Sequence, residues 1–449
     1  MSFAAYLLYM ALAFLRPTEL FWPDLEEYRP MVWLWVFAFV SALVTVMARR
    51  ELAGRRLYFG LLGLFVATIG ASQAFNTSWT GAVDAVSSFS TSAMFFVLTC
   101  MNLTSTRRVR VTCTVLLLCI GINAVMGIVA YHYGWMSEQL VQRQNADNQV
   151  NVFETVDPDV IPAEDESGQY LWRVRSAGFL NDPNDFGQVL VLVLPFLWAF
   201  WAKRHLIRNL VFVAIPSAIL FYAIYLTYSR GALVGLAALF IFVARRRLGT
   251  IKVAVLAGML IVAASVANIG FGGREFSTKE ESAGERIEAW YAGLQMLKAK
   301  PVFGVGYSNF LQVHPLTAHN SIVLCFAELG MVGYFFWGAM LVLAYRELDQ
   351  VLRRTPPGSP SNRLVSMLLP AFESFMVCAW FLSRTYQPTL YILLAFCASA
   401  AWCARHENAE GEAVLADWPE VSWLVPTLIA IVAGIAAVYA FVVLSRAVG

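Results

Sequence analysis

Apolar stretches close to 20 residues long recur along almost the whole of this chain. A helix rises 1.5 Å per residue, so about 20 apolar residues cross the hydrocarbon of a bilayer. Backbone groups in hydrocarbon find no water, and each such stretch must therefore be helical. Composition agrees, with 59% of residues hydrophobic and only 14% charged. A chain like this is not a soluble domain. The expected fold class is all-α, a polytopic transmembrane helical bundle. Candidate spans cover roughly 3–16, 31–48, 57–75, 83–103, 110–133, 184–202, 207–227, 231–245, 251–269, 319–345, 362–383, 387–403 and 421–445. Met1 to Phe14 has no basic leader region and no small-residue cleavage site, so it reads as a retained first span. With no internal repeat, residues 1–449 read as a single integral membrane domain.

Orientation follows from where Lys and Arg fall between the spans. More than half of the 32 basic residues sit in one set of alternate short loops. They include Arg49, Arg50, Arg55 and Arg56; Arg107, Arg108 and Arg110; Lys203, Arg204 and Arg208; and Arg245, Arg246, Arg247 and Lys252. Arg346, Arg353, Arg354, Arg363 and Arg405 complete the set. These loops and the N-terminus are expected to be cytoplasmic. The other set faces outward and holds two long loops, 134–183 and 270–318.

The first outer loop is acidic in its middle, at Glu154, Asp157, Asp159, Glu164, Asp165 and Glu166, and is expected to be partly irregular. Asn181-Asp182-Pro183-Asn184-Asp185 then supplies turn and helix-cap chemistry for the sixth span. In the second loop, Ile287, Trp290, Tyr291, Leu294 and Leu297 recur at helical spacing. That predicts an amphipathic helix on the membrane surface, stopped by Pro301 and followed by Gly304 and Gly306. The seven cysteines lie in or beside apolar spans, which argues against disulfides and cysteine-bound metal. Asp157 with Asp159, and Asp24 with Glu26 and Glu27, have oxygen ligands suited to Mg²⁺ or Mn²⁺, but acidic pairs in outer loops are usually just solvated. No cofactor motif and no nucleic-acid signature is present.

Four residues concentrate the chemistry at the outer boundary. Arg175 precedes the sixth span, Arg230 interrupts the apolar run 207–245, Arg286 opens the amphipathic helix, and His319 stands where the second outer loop enters the tenth span. Each arginine taken singly reads as a snorkelling or salt-bridged side chain. Together they present permanently charged, bidentate donors suited to a pyrophosphate. A histidine at a helix start is ordinarily a cap or packing residue. Here the helix N-terminus disfavours imidazolium and leaves a ring able to accept a proton. Asn320 orients that ring or contacts substrate. Glu328, nine residues on, points to the opposite side of the helix and reads as a buried structural group. Gly330 and Gly333 read as close-packing positions.

These residues resemble the O-antigen ligase and polymerase superfamily. The resemblance is carried by Arg175-x-x-Gly178-Phe179 leading into Asn181-Asp182-Pro183-Asn184, and by Thr227-Tyr228-Ser229-Arg230-Gly231. It continues through Arg286-x3-Trp290 and Phe303-Gly304-Val305-Gly306-Tyr307-Ser308-Asn309-Phe310, to His319-Asn320 with Glu328, Gly330 and Gly333 behind it. It covers about 175–340. Two departures are the long acidic loop 134–174 and a thirteenth span beyond the usual twelve. The resemblance implies a C-type membrane glycosyltransferase in the bacterial inner membrane with a periplasmic active site. It implies transfer of a glycan from undecaprenyl pyrophosphate to a hydroxyl of lipid A–core or of a second lipid-linked repeat, inverting and without a metal or other cofactor. By the same resemblance Arg230 and Arg286 hold the donor pyrophosphate and His319 activates the acceptor. Arg175, Asn320 and Tyr307 are the expected substrate-binding residues. Exopolysaccharide polymerase and protein O-oligosaccharyltransferase are alternatives within this class. A lipid-linked glycan flippase is the alternative outside it, and would favour inverted repeats and helices interrupted at the midplane. A metal-dependent glycosyltransferase using the acids after the first span is a third reading.

Overall fold

The computed structural model describes residues 2–49, 52, 54, 56–145, 160–165, 170–249, 252, 281–407 and 418–448. Its long helices are α1 (Ser2–Leu15), α2 (Pro30–Arg49), α3 (Arg56–Asn76), α4 (Trp79–Asn102) and α5 (Thr106–Tyr133). They continue as α6 (Pro183–Trp198), α7 (Leu206–Leu226, with a π-helical turn at Leu210–Ala214), α8 (Arg230–Leu248) and α9 (Glu281–Ala299). The last four are α10 (Ser321–Arg354), α11 (Pro360–Ala379), α12 (Pro388–His406) and α13 (Leu424–Val448). Among the described residues, eight helices are long and apolar enough to cross a membrane. The chain is a multi-pass helical membrane protein. Every candidate span coincides with one of these helices except 251–269, which lies outside the described residues.

Local sequence sets the helix starts. Asp182 caps α6 by accepting from the Asn184 amide (2.7 Å), with Pro183 in the first turn. Ser229 caps α8, Ser105 caps α5 and Ser359 caps α11. Gly134 ends α5 in the left-handed conformation. In the first outer loop the described residues form a two-stranded antiparallel sheet, β1 (Val141–Asn145) on β2 (Tyr170–Val174), with Val141 opposite Val174. Asp157 and Asp159 lie outside the described residues.

Helix α10 is the hub. It packs against α3, α9, α11, α12 and α13, while α6 packs against α5, α7, α8 and α11. Helices α10 and α12 are the most enclosed of the long spans, and α2 and α13 are peripheral. At the end away from His319, Arg108 stacks on Phe3, the Thr106 amide donates to Glu407, and Arg405 pairs with Glu347 (3.4 Å). Residues of several arginine-bearing loops therefore gather with the chain's first turn.

Helix α9, expected to be amphipathic at a membrane surface, packs on α10 and α13, with Ala289, Trp290 and Met296 buried. One sequence expectation is corrected here. Gly330 is not a close-packing position within a continuous helix. It has φ 63° and ψ −164°, and α10 is interrupted there. In a regular helix the amides of Met331 and Val332 would donate to the carbonyls of Ala327 and Glu328. Instead Met331 donates to the Pro301 carbonyl (2.8 Å) and Val332 to that of Val302 (3.3 Å). The carbonyls of Ala327 and Glu328 accept from Val305 (2.9 Å) and Gly306 (3.0 Å). Segment 301–306 is thus inserted between the two halves of α10, and four loop bonds replace two helical ones. Only glycine fits at the crossing. A Cβ on Gly330 would stand 2.4 Å from the Val302 carbonyl oxygen, and one on Gly304 (φ 65°) 2.4 Å from the Glu328 backbone. Gly333, just past the break, makes room for the Leu329 side chain of the same helix.

Gly330→Ala combines a positive φ with a backbone collision and should cost about 2 kcal/mol or more. Thermal unfolding of detergent-solubilised protein would register this as a clear fall in Tm. Gly60→Ala, whose Cβ meets nothing within 4 Å, serves as the control and should leave Tm unchanged or slightly raised. Equal melting of the two variants would contradict the inserted-loop account.

Candidate active site

Two short segments meet where α10 begins. Residues 317–321 lead into the helix, and the turn 380–387 joins α11 to α12. Thr317 Oγ1 donates to Ser383 Oγ (2.9 Å), and Ser321 Oγ donates to the Leu382 carbonyl (2.6 Å). In return the Arg384 amide donates to Ser321 Oγ (2.9 Å), and Thr385 Oγ1 donates to the Ser321 carbonyl (2.7 Å). From the other side, Trp290 Nε1 on α9 donates to the Ala318 carbonyl (2.8 Å). His319 is held between these anchors with φ 45°, a left-handed conformation that a non-glycine residue keeps only when its surroundings enforce it.

The His319 ring is half-buried. Burial first, then the nearby guanidinium groups of Arg286 and Arg384, push its pKa down to about 4, against an opposite pull from Asp182. The ring is therefore neutral at physiological pH and can accept a proton. The expected cause was the helix N-terminus; burial and two arginines are the larger causes in this structure.

The Arg286 guanidinium lies close enough to His319 to act on its charge. Arg230 opens α8 one residue before Gly231, whose Cβ position lies 3.2 Å from Phe381 of the turn 380–387. The start of α8 thus lies against the turn that carries Arg384. Tyr307 packs its ring against Tyr386 (centroids 4.6 Å apart), and its amide donates to Ser72 Oγ (3.1 Å) on α3.

Two expected substrate ligands have structural partners. Arg175 directs its guanidinium at the carbonyls of Glu138 (2.9 Å), Gln139 (3.1 Å) and Asn181 (3.5 Å), bracing the first outer loop. Its neighbour Arg173 is buried and reaches further in, donating to the Thr227 carbonyl and to Asn184 Oδ1 (both 2.9 Å). Asn320 is fully buried, and its Oδ1 caps α10 by accepting from the amides of Ile322 (2.9 Å) and Val323 (3.1 Å). Glu328 Oε1 accepts from the Phe310 amide (3.1 Å), so this carboxylate fastens the preceding loop.

Arg384 is the residue that sequence reasoning missed. Read alone, it is one more arginine at a membrane boundary. The structure pairs it with Asp185 through Nε and with Asp182 through Nη2 (3.5 Å). The available signal was that the turn between two spans is only a few residues long, while the cap of α6 carries two acids. Among the described residues no group of three or more His, Cys, Asp or Glu side chains converges.

Residues 215–338 match the family model described as O-antigen ligase. The match covers a little over a quarter of the chain. The match runs from α7 through the interrupted part of α10, and so includes Arg230, Arg286, Tyr307, His319 and Asn320. No curated protein matches the chain.

The cap assignment for Asn320 is open to test. Asn320→Ser retains a capping oxygen and should melt close to the parent, whereas Asn320→Ala should lower stability by about 1 kcal/mol. If serine and alanine variants melt together, the cap is not what the side chain contributes.

Proposed function

We propose that this protein transfers a glycan from undecaprenyl pyrophosphate to an acceptor hydroxyl, with His319 as the base and arginines on the pyrophosphate. The observation that carries the reading is the half-buried His319 imidazole just before α10, beside the Arg286 and Arg384 guanidinium groups that push its pKa down. The O-antigen ligase family match supports ligase- or polymerase-type activity in general. In the proposed step the acceptor oxygen bonds to the anomeric carbon and its proton passes to His319. The bond from that carbon to the pyrophosphate oxygen breaks, and undecaprenyl pyrophosphate leaves with the electron pair. Attack opposite the leaving group inverts the anomeric centre. Arg286 and Arg230 stabilise the departing charge, in a site where half-buried donors act more strongly than they would in water. The excess of Lys and Arg in the opposite loops supports a periplasmic position for this end, in a bacterial inner membrane.

A flippase reading draws on the break in α10, since interrupted helices often line a transport path. Here the four backbone groups released at the break bond to residues 301–306 of the same chain. None of these four is left for a cargo, which favours transfer over transport.

Purified protein would be given undecaprenyl-pyrophosphate glycan with lipid A–core, with lipid-linked repeat, or with a hydroxyl-bearing peptide, each with and without EDTA. Turnover with one acceptor class should survive EDTA and fall about 10²–10⁴-fold in His319→Ala. Full turnover in that variant would remove the base from His319, and loss in EDTA with rescue by Mg²⁺ would favour a metal-dependent mechanism.

A further inference from the structure

Arg384 connects the two helix starts that border His319. Its backbone amide is bonded to Ser321, two residues after His319, and its turn is bonded to Thr317, two residues before. Its side chain runs the other way, to Asp182 and Asp185 at the start of α6. Asp185 is buried, Asp182 is partly exposed, and the Arg384 side chain is mostly enclosed. A guanidinium so enclosed between two acidic side chains keeps one geometry, because losing the Asp185 contact would leave it mostly enclosed without its buried partner. The charged groups that face His319 come from each neighbouring element. They are Arg286 from α9, Arg384 from the turn 380–387, and Asp182 from the cap of α6.

We propose that Arg384 is the positioning residue for His319. Clamped by Asp182 and Asp185, it ties the segment that carries His319 to the start of α6 and, together with Asp182, sets the charge that the ring meets. This deepens the transfer reading and rests on it for its catalytic meaning. In the resting site the Arg384 charge keeps the ring free of a proton. Once the acceptor has delivered one, Asp182 is the carboxylate that faces the new imidazolium. The pairing thus serves both halves of the step, since a base held too far below neutral would be slow to accept.

The test uses the full chain and needs no substrate. Carbethoxylation by diethyl pyrocarbonate attacks neutral imidazole, and the peptide bearing His319 can be followed by mass spectrometry as pH is lowered. The other four histidines serve as internal references. Reactivity of His319 in the parent should persist to near pH 4. Arg384→Gln combined with Asp185→Asn removes the charge without stranding its buried partner, and should raise the midpoint by about one pH unit. Asp182→Asn should lower it. Arg384→Lys keeps a charge and should hold the midpoint near that of the parent while slowing turnover, because the two-pronged grip is lost. The acid limb of kcat/KM should move in step with the labelling midpoint. An unmoved midpoint in the folded double variant would overturn the proposal. So would a rise in donor KM with no change in labelling, which would make Arg384 a substrate ligand. If the midpoints shift as stated while no acceptor supports turnover in the parent, the transfer reading fails and the charge coupling between Arg384 and His319 stands.

Discussion

The insertion of segment 301–306 into the break of α10 is the interaction on which the rest of the site depends. A transmembrane helix ordinarily satisfies its own backbone, and opening it in hydrocarbon leaves polar groups with no solvent to turn to. Here an outer loop supplies the missing partners bond for bond. Loop and helix are thereby ordered together, since neither is satisfied without the other. Glu328 adds its carboxylate to the Phe310 amide, and Asn76 on α3 donates to the Gly304 carbonyl (2.9 Å). The outer half of α10, with His319 at its tip, is therefore held by the loop that precedes it as well as by the helices around it.

Rigidity at that tip would serve the proposed reaction, since a base and a set of guanidinium groups assist one another only if their separation survives the arrival of a charged substrate. The left-handed backbone of His319 is tolerated because Thr317 and Ser321 are hydrogen-bonded to the turn 380–387 and Ala318 to Trp290 of α9. The positive charge of the site is not left unbalanced. Asp182 and Asp185 hold Arg384, and the same Asp182 caps α6. One carboxylate thus joins helix capping, ion pairing and the charge environment of the imidazole.

Much of the architecture was legible in the amino-acid pattern, because crossing a bilayer demands long apolar runs and allows only helices. The cap at Asp182 was readable for local reasons. Loop charge and helix parity gave the expectation that Arg230, Arg286 and His319 share one side of the membrane. What escaped is tertiary. Gly330 in an apolar run looks the same whether it permits close packing or marks a break, and only the loop threaded through it decides. Arg175 and Arg173 lie two residues apart, and nothing in their spacing tells which one points inward. Arg384 acquires meaning only from acids nearly two hundred residues away in the chain.

Helix α13 lies at the periphery of the bundle and far along the chain from His319. Yet Arg446 in its last turn pairs with Glu288 (2.9 Å) and stacks 3.7 Å over the Tyr291 ring, while Phe441 packs on Trp290. Trp290 in turn holds the carbonyl of Ala318, beside the imidazole. The peripheral helix is therefore mechanically upstream of His319. A fusion partner or affinity handle attached beside Arg446 would be pulling, through a single tryptophan, on the residue proposed to remove the proton.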